Sequence, residues 1–221
     1  MEATDYHADT PRHRGDLNVA WHGTLKSFGQ NHSMSTRVMT GLALPFYETA
    51  LEFTEGMARG RLHNLIRYPA VVIVLVSTSL DAYINEILAF HHLIEPTKQL
   101  RIAELRGKKL REKWVHAPEI LGGSAFDTNA EPYLSFDLLL TLRNKLVHYS
   151  AGFRTTSEYP LAKIDQYKQR FTFTHEGKSD WTSQVLNLEC ARWGCKTAQR
   201  MVRTFHTLSG IRQLQVWADP A

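Results

Sequence analysis

The chain has 221 residues, of which 43% are hydrophobic and 22% are charged, which is typical of a soluble protein with one sizeable domain. Its 26 basic and 22 acidic side chains give a net charge of +4, which is compatible with an anionic partner but does not establish one. The two cysteines lack Cys-x-x-Cys spacing and the first residues lack a signal-peptide pattern, so we expect no disulfide framework and a cytoplasmic location. The most apolar stretch, residues 70–76, is much shorter than the about 20 residues of a membrane span, so no membrane partner is expected.

Residues 1–44 are predicted to form an irregular N-terminal arm that is partly disordered or lies on the surface. Apolar residues are few there, and glycines interrupt any periodicity. The histidines of the arm have no metal-ligand spacing, and the adjacent His91 and His92 would point apart on a helix. The sequence therefore predicts no metal site, and it indicates no cofactor.

An all-α domain is predicted over residues 45–210, with a C-terminal tail over residues 211–221. Pro45 favours a helix start, and apolar residues follow it at helical spacing. The next helix, from about Pro69 to Ile94, is apolar nearly all round at its start, as is typical of the central helix of a bundle.

A third helix is predicted over residues 98–115, with Thr97 as its cap and a loop over residues 117–130 after it. Basic residues dominate this helix, and they are either a solvated face or a surface for nucleic acid. The residues that we select as candidate RNA contacts are Arg106, Lys108, Lys109 and Arg111.

Three further elements complete the domain. A helix is predicted from about Glu131 to Ser150, and a short β-hairpin is predicted near residues 170–180. The last helix, residues 182–208, has Thr182 as its cap and a clear apolar stripe. That stripe comprises Leu188, Ala191, Cys195, Ala198, Val202 and Phe205.

The Arg-x4-His pattern occurs three times, and its context selects one copy. In the first copy, Arg111 is followed by a competing carboxylate. In the third, Arg170 lies in a strand-like stretch, where a five-residue separation puts the two side chains on opposite faces. The second copy, Arg143 with His148, lies at the end of an amphipathic helix. We therefore select the second copy as the candidate site.

Asn144 precedes His148 by four residues and so shares its face of the helix. Arg143 and His148 are about 140° apart around the axis, a separation that a long arginine can bridge. The dipole at the C-terminal end of the helix favours a cationic imidazole. The same three residues could also be an ordinary helix terminus, with Arg143 paired to Asp81 or Glu86 on another helix.

The stretch Leu142–Tyr149 resembles the Arg-polar-x3-His signature of HEPN domains, a superfamily of helical ribonucleases and toxins. Ser79–Glu86 is similar to a small-acidic-aromatic-Asn stretch on an earlier helix of many HEPN proteins. The resemblance covers about residues 45–208 and implies an antiparallel helical bundle that forms a homodimer with both motifs in one cleft.

The resemblance also implies a metal-independent endoribonuclease that acts in phage defence or as the toxin of a toxin–antitoxin pair. Arg143 would bind the scissile phosphate, Asn144 would orient a neighbour, and His148 would act as general base or general acid. Asp81, Glu86 and Tyr149 would support them, although Asp81 and Glu86 are also readable as ordinary interhelical partners. Tyr149 directly follows the histidine, whereas some HEPN toxins carry a modified tyrosine one place later, so regulation by nucleotide transfer is not expected.

The alternative is a catalytically inactive HEPN-like module that binds RNA, a nucleotide or a partner protein such as an antitoxin. The enzyme requires the arginine and histidine to face an open cleft, whereas the binding module does not. The exposure of His148 is therefore the first structural observation that bears on the choice.

Overall fold

The computed structural model describes residues 41–62, 67–148, 164–173, 181–211 and Trp217. Helices account for 77% of the described residues and no strand occurs among them, which confirms the all-α prediction. The helices are α1 (Ala43–Ala58), α2 (Arg67–Ile94), α3 (Gln99–Arg106), α4 (Leu110–Ile120), α5 (Tyr133–Val147), α6 (Ile164–Lys168), α7 (Trp181–Val185) and α8 (Leu188–Ser209).

All the described residues belong to one compact unit, Gly41–Ala221. The predicted arm, residues 1–44, is described only from residue 41, and its last two residues already belong to α1. The rest of the arm prediction lies outside the described residues.

The four long helices α1, α2, α5 and α8 pack around one apolar core. The ring of Phe53, near the end of α1, stacks on Tyr68 at the start of α2, with centroids 5.6 Å apart. The start of α1 meets Glu86, far along α2, so these two helices are antiparallel. An antiparallel bundle of HEPN type was expected, and beyond the all-α character it stays a prediction.

Gly194 of α8 lies where three helices meet. A Cβ on this residue would be 2.9 Å from Cδ1 of Ile73 on α2 and 3.7 Å from Cδ1 of Leu139 on α5. Further along, Phe205 of α8 packs against Tyr83 of α2, so α8 runs parallel to α2. The close approach explains a glycine in the middle of a helix, where it otherwise costs about 1 kcal/mol relative to alanine.

The predicted third helix is two helices. Gly107 ends α3, donating its backbone N–H to the Glu104 carbonyl at 3.2 Å, and Lys109 is extended before α4 begins. Thr97 makes no side-chain cap, because a 3₁₀ turn at Pro96–Lys98 precedes α3. The loop predicted from residue 117 was also placed too early, since α4 continues through the buried Pro118 to Ile120.

The last predicted helix is also divided. Asn187 is extended and its Oδ1 accepts the backbone N–H of Cys190 at 2.9 Å, so it caps α8, whereas Thr182 lies inside the short α7. Residues 171–173 are irregular rather than a strand, and residues 174–180 of the predicted hairpin lie outside the described residues.

The predicted stripe of α8 is otherwise confirmed, since all its members except the half-buried Leu188 are fully buried. Cys190 and Cys195 are free thiols in this core. Burial raises the pKa of Cys195 to about 12 and raises the pKa of Cys190 further, so both thiols are protonated and inert near neutral pH. Core packing is their role.

Trp217 corrects the predicted boundary between domain and tail at residue 210. It is 2% exposed and its ring stacks on Tyr47, with centroids 4.4 Å apart. Its carbonyl accepts the side-chain amide N–H of Gln199 at 2.9 Å. A residue that was predicted to lie in the tail is therefore part of the core.

Among the described helices, α2 is long and apolar enough to cross a membrane, by length and composition alone. Half of its most apolar window is buried inside the protein. The core helix of a soluble protein passes the same test, so α2 gives only weak support for a membrane span.

Candidate functional site

The candidate site lies at the C-terminal end of α5. Leucines bury one side of this helix, and Leu139 and Leu142 are fully enclosed. The burial fades in the last turn, where Asn144, Lys145 and Val147 are all exposed. The helix therefore ends with polar groups open to solvent, although its first three turns belong to the core.

His148 is the residue at which α5 ends, and it is exposed. Its backbone N–H donates to the Asn144 carbonyl at 3.0 Å, which continues the helical hydrogen bonding by one residue. The imidazole is not enclosed in the core of the chain. The enzyme interpretation requires this exposure, and a sealed His148 would have excluded it.

The guanidinium of Arg143 is turned toward the side of the helix that carries His148. Its Nη1 donates to Oδ1 of Asn144 at 3.0 Å. Asn144 is about 100° from Arg143 and about 40° from His148 around the axis, so it lies between the two. The hydrogen bond holds the arginine against Asn144, and the predicted role of Asn144 in orienting a catalytic group stays a prediction.

Asp81 and Glu86 lie elsewhere, which corrects their predicted support of Arg143. Asp81 accepts the side-chain amide N–H of Asn85 at 2.8 Å, and Asn85 in turn accepts from Lys113 at 2.8 Å. Glu86 accepts the backbone N–H groups of Leu42 and Ala43, which start α1, at 2.6 and 3.0 Å. Glu86 therefore joins α2 to the start of α1, whereas the exposed Asp81 is hydrogen-bonded within α2.

The antiparallel packing of α2 and α5 explains this correction. Trp114 packs against both Tyr83 of α2 and Phe136 of α5. Leu139 of α5 lies level with Ile73 of α2, through their shared neighbour Gly194. Residues after Leu139 therefore approach the start of α2, whereas Asp81 and Glu86 lie toward the other end. The alternative in which Arg143 pairs with one of these acids is likewise not found among the described contacts.

The four candidate RNA contacts divide into two groups. Arg111 is committed to α5, because its Nε donates to Oδ1 of Asp137 at 2.5 Å and its Nη2 to Oγ1 of Thr141 at 3.3 Å. Arg106, Lys108 and Lys109 are exposed in and beside the turn between α3 and α4. Only these three keep their charge open to a ligand.

The two rejected Arg-x4-His pairs also have structural partners. Arg111 binds Asp137, and Arg170 binds the carboxylate of Glu131 at 2.9 Å between their nitrogen and oxygen atoms. His116 is exposed and lies 3.9 Å from Glu119, and His175 lies outside the described residues. Arg143 is the one arginine of the three without a carboxylate partner among the described residues.

Sequence reasoning missed Lys145 as a member of the site. It is exposed and lies three residues before His148, which puts the two side chains side by side on the helix surface. The same i,i+3 spacing was available in the sequence and would have found it. Tyr149 lies outside the described residues, so its predicted role stays a prediction.

The described residues contain no group of three or more His, Cys, Asp or Glu side chains that could hold a metal ion. No family model matches the chain, and comparison with curated proteins and with solved structures found no match. The resemblance to HEPN domains therefore depends on the motif residues alone.

Proposed function

We propose that the chain is a metal-independent endoribonuclease in which Arg143 and His148 act on the RNA backbone. The observation that carries the proposal is the pairing of an exposed imidazole with a guanidinium that Asn144 turns toward it. A positive charge, an amide and a proton acceptor together supply what cleavage at a ribose 2′-OH requires.

The reaction is a transesterification. His148 accepts the proton of the 2′-OH, and the 2′ oxygen attacks the adjacent phosphorus while the bond from phosphorus to the 5′ oxygen breaks. The leaving 5′ oxygen takes a proton from a second imidazole that acts as general acid, and the products are a 2′,3′-cyclic phosphate and a 5′-OH. Arg143 stabilises the charge that develops on the phosphate oxygens.

A homodimer fits this chemistry better than a single chain. One imidazole cannot accept a proton and donate another at the same moment, whereas two copies supply one general base and one general acid. Arg143 and His148 also start on different sides of α5, about 140° apart. We therefore propose that two copies of the motif face one cleft, and a toxin or phage-defence setting remains part of the proposal.

The experiment is an RNA cleavage assay in EDTA with His148→Ala and Arg143→Ala. We expect cleavage by the wild type to persist in EDTA. The rate should fall by about 10²–10⁴ in His148→Ala and by about 10²–10³ in Arg143→Ala. RNA with a 2′-deoxy ribose at the cleavage site should resist, because it lacks the nucleophile.

His116→Ala is the matched control, since His116 is also exposed and also follows an arginine by five positions. Its activity should equal that of the wild type. If a folded wild type cleaves none of several RNAs, or if His116→Ala loses as much activity as His148→Ala, the proposal is wrong.

The second candidate function is a binding module without activity. The observation in its favour is that Asp81 accepts from Asn85 within α2 and Glu86 contacts the start of α1, so neither acid supports Arg143. This candidate predicts binding of RNA that survives in His148→Ala, together with no cleavage by the wild type. The same set of variants therefore separates the two functions.

A further inference from the structure

The turn Arg106–Lys109, which we call the α3–α4 tip, presents Arg106, Lys108 and Lys109 to solvent. None of the three forms an ion pair within the described part of the chain. Three positive charges therefore lie within four consecutive residues. Whether these charges can contact an RNA bound at His148 depends on the direction in which the tip points.

Two contacts show that α3 and α4 form an antiparallel pair. Nζ of Lys98 donates to the Leu121 carbonyl at 2.9 Å, and Arg101 lies 4.0 Å from Glu119. These contacts join the start of α3 to the end of α4. The α3–α4 tip is therefore the far end of this pair.

Arg111 attaches α4 to α5 next to the tip. Its guanidinium binds Asp137 and Thr141, whereas Trp114, one turn further along α4, packs against Phe136 with ring centroids 5.8 Å apart. As α4 proceeds, its contacts therefore move toward the start of α5. The tip, which precedes α4, is displaced in the opposite direction, toward the end of α5 that carries His148.

The α5 residues beyond this attachment continue on the same side. Thr141, Lys145 and His148 are at positions i, i+4 and i+7, which share one face of a helix, with about 10.5 Å of rise from Thr141 to His148. Lys145 and His148 are exposed, and Thr141 is half-buried under Arg111. Lys145 therefore adds one positive charge on the face of α5 that leads to the candidate site.

We propose that the α3–α4 tip and Lys145 bind the phosphates next to the scissile bond, and that the substrate is single-stranded RNA of several nucleotides. This inference rests on the proposed function, since it uses His148 as the point of cleavage. The contacts are to phosphates, so they add affinity without reading sequence. A flexible strand can also align its 2′ oxygen with the leaving oxygen at His148, which a regular duplex resists.

The test compares two variants that each remove two positive charges. Lys108→Gln/Lys109→Gln removes them from the tip, and Lys196→Gln/Arg200→Gln removes them from the exposed side of α8, which faces away from α2. Binding is measured by fluorescence anisotropy with single-stranded 2′-O-methyl RNA of about 20 nucleotides, which cannot be cleaved, over a range of salt concentrations. Cleavage of the matching RNA is measured in parallel.

For the wild type, we expect much tighter binding of the long RNA than of a dinucleotide. The tip variant should lose about tenfold in affinity for the long RNA, and its salt slope should fall by about 1.4, which is 0.7 for each lost phosphate contact. The α8 variant should bind like the wild type. Equal losses in both variants would indicate a general charge effect and would overturn the inference, as would unchanged binding in the tip variant.

Different experimental results would overturn this inference and the proposed ribonuclease function. Cleavage that needs His148 but is insensitive to the tip variant overturns the inference and leaves the ribonuclease. Tip-dependent binding of 2′-O-methyl RNA by a wild type that cleaves nothing supports the RNA surface and overturns the ribonuclease.

Discussion

The C-terminal ends of α5 and α8 each carry a histidine, and the two histidines have opposite surroundings. In the last turn of α8, Nδ1 of His206 donates to the Ile211 carbonyl at 2.8 Å, and its Nε2 accepts the hydroxyl of Tyr83. At the end of α5, the His148 ring is exposed. The first imidazole has both nitrogens occupied by the protein, whereas the second is open to a ligand.

The chain that follows α8 explains why its histidine is enclosed. Gly210 turns the backbone at the end of α8 with a φ of +70°, a conformation that glycine adopts without strain, and Ile211 then reaches back to His206. Trp217 closes the same end by packing edge-on against Tyr83, with centroids 5.5 Å apart. A histidine at a helix end is thus structural or available to a ligand according to what covers it.

Among the variants that test this comparison, Trp217→Ala should have the largest effect on the free energy of unfolding. We expect Trp217→Ala to lower the free energy of unfolding by about 3–5 kcal/mol, because a large buried ring leaves a cavity beside Tyr47 and Tyr83. Urea unfolding followed by circular dichroism measures it. If the variant does not fold, the loss exceeds the whole stability of the domain.

Two variants control this result. The Nε1 of Trp217 has no hydrogen-bond partner in the described part of the chain, so Trp217→Phe should lose only packing area and cost less than the alanine variant. Val147→Ala, at the open end of α5, should change the free energy of unfolding by less than about 0.5 kcal/mol, because Val147 is 50% exposed. If Trp217→Ala and Val147→Ala lower the free energy of unfolding by similar amounts, the contrast between a closed end of α8 and an open end of α5 is wrong.

The pH dependence of stability should give the next largest effect. Burial lowers the pKa of His206, and the hydrogen bond to Ile211 only partly opposes that shift. Above about pH 6.5 this histidine is neutral in both the folded and the unfolded chain. Its titration therefore does not change the free energy of unfolding in that range. As the pH falls below that value the unfolded chain binds a proton first, so the free energy of unfolding decreases until the folded pKa is reached.

Urea unfolding between about pH 7.5 and 5 measures this decrease, with at most about 1.4 kcal/mol per pH unit from one histidine. His206→Gln should flatten that part of the profile, because it removes the titrating ring. A profile that is the same in wild type and His206→Gln would show that other groups cause the acid sensitivity and would contradict this prediction.

The sequence predicted the long apolar elements of this fold and missed features that depend on distant contacts. The stripe of α8 and the apolar start of α2 are visible as helical periodicity. The break at Gly107 was missed because a single glycine inside a basic run is only a weak signal for the end of a helix. Trp217 was missed because its contacts, Tyr47 and Gln199, are remote in the sequence and no local pattern predicts them.

The candidate site was also predictable only where it depends on local helical geometry. Arg143, Asn144 and His148 share one helix, so their relative placement follows from helical geometry, and the contact of Arg143 with Asn144 agrees with it. Asp81 and Glu86 lie on another helix, and their position relative to Arg143 depends on the register between α2 and α5. That register comes from the close packing at Gly194, which periodicity does not reveal.

The smallest expected effect is the change in stability of the site variants. His148→Ala and Asn144→Ala should each alter the free energy of unfolding by less than about 0.5 kcal/mol, because both side chains are exposed at a helix end. Urea unfolding at neutral pH measures it on the same protein samples that are used for RNA cleavage. A loss of activity without a loss of stability in His148→Ala identifies a residue that is kept for a ligand. A loss of 2 kcal/mol or more, roughly the cost of an unsatisfied buried group, would instead make His148 a structural histidine like His206, and the ribonuclease assignment would lose the exposed imidazole that carries it.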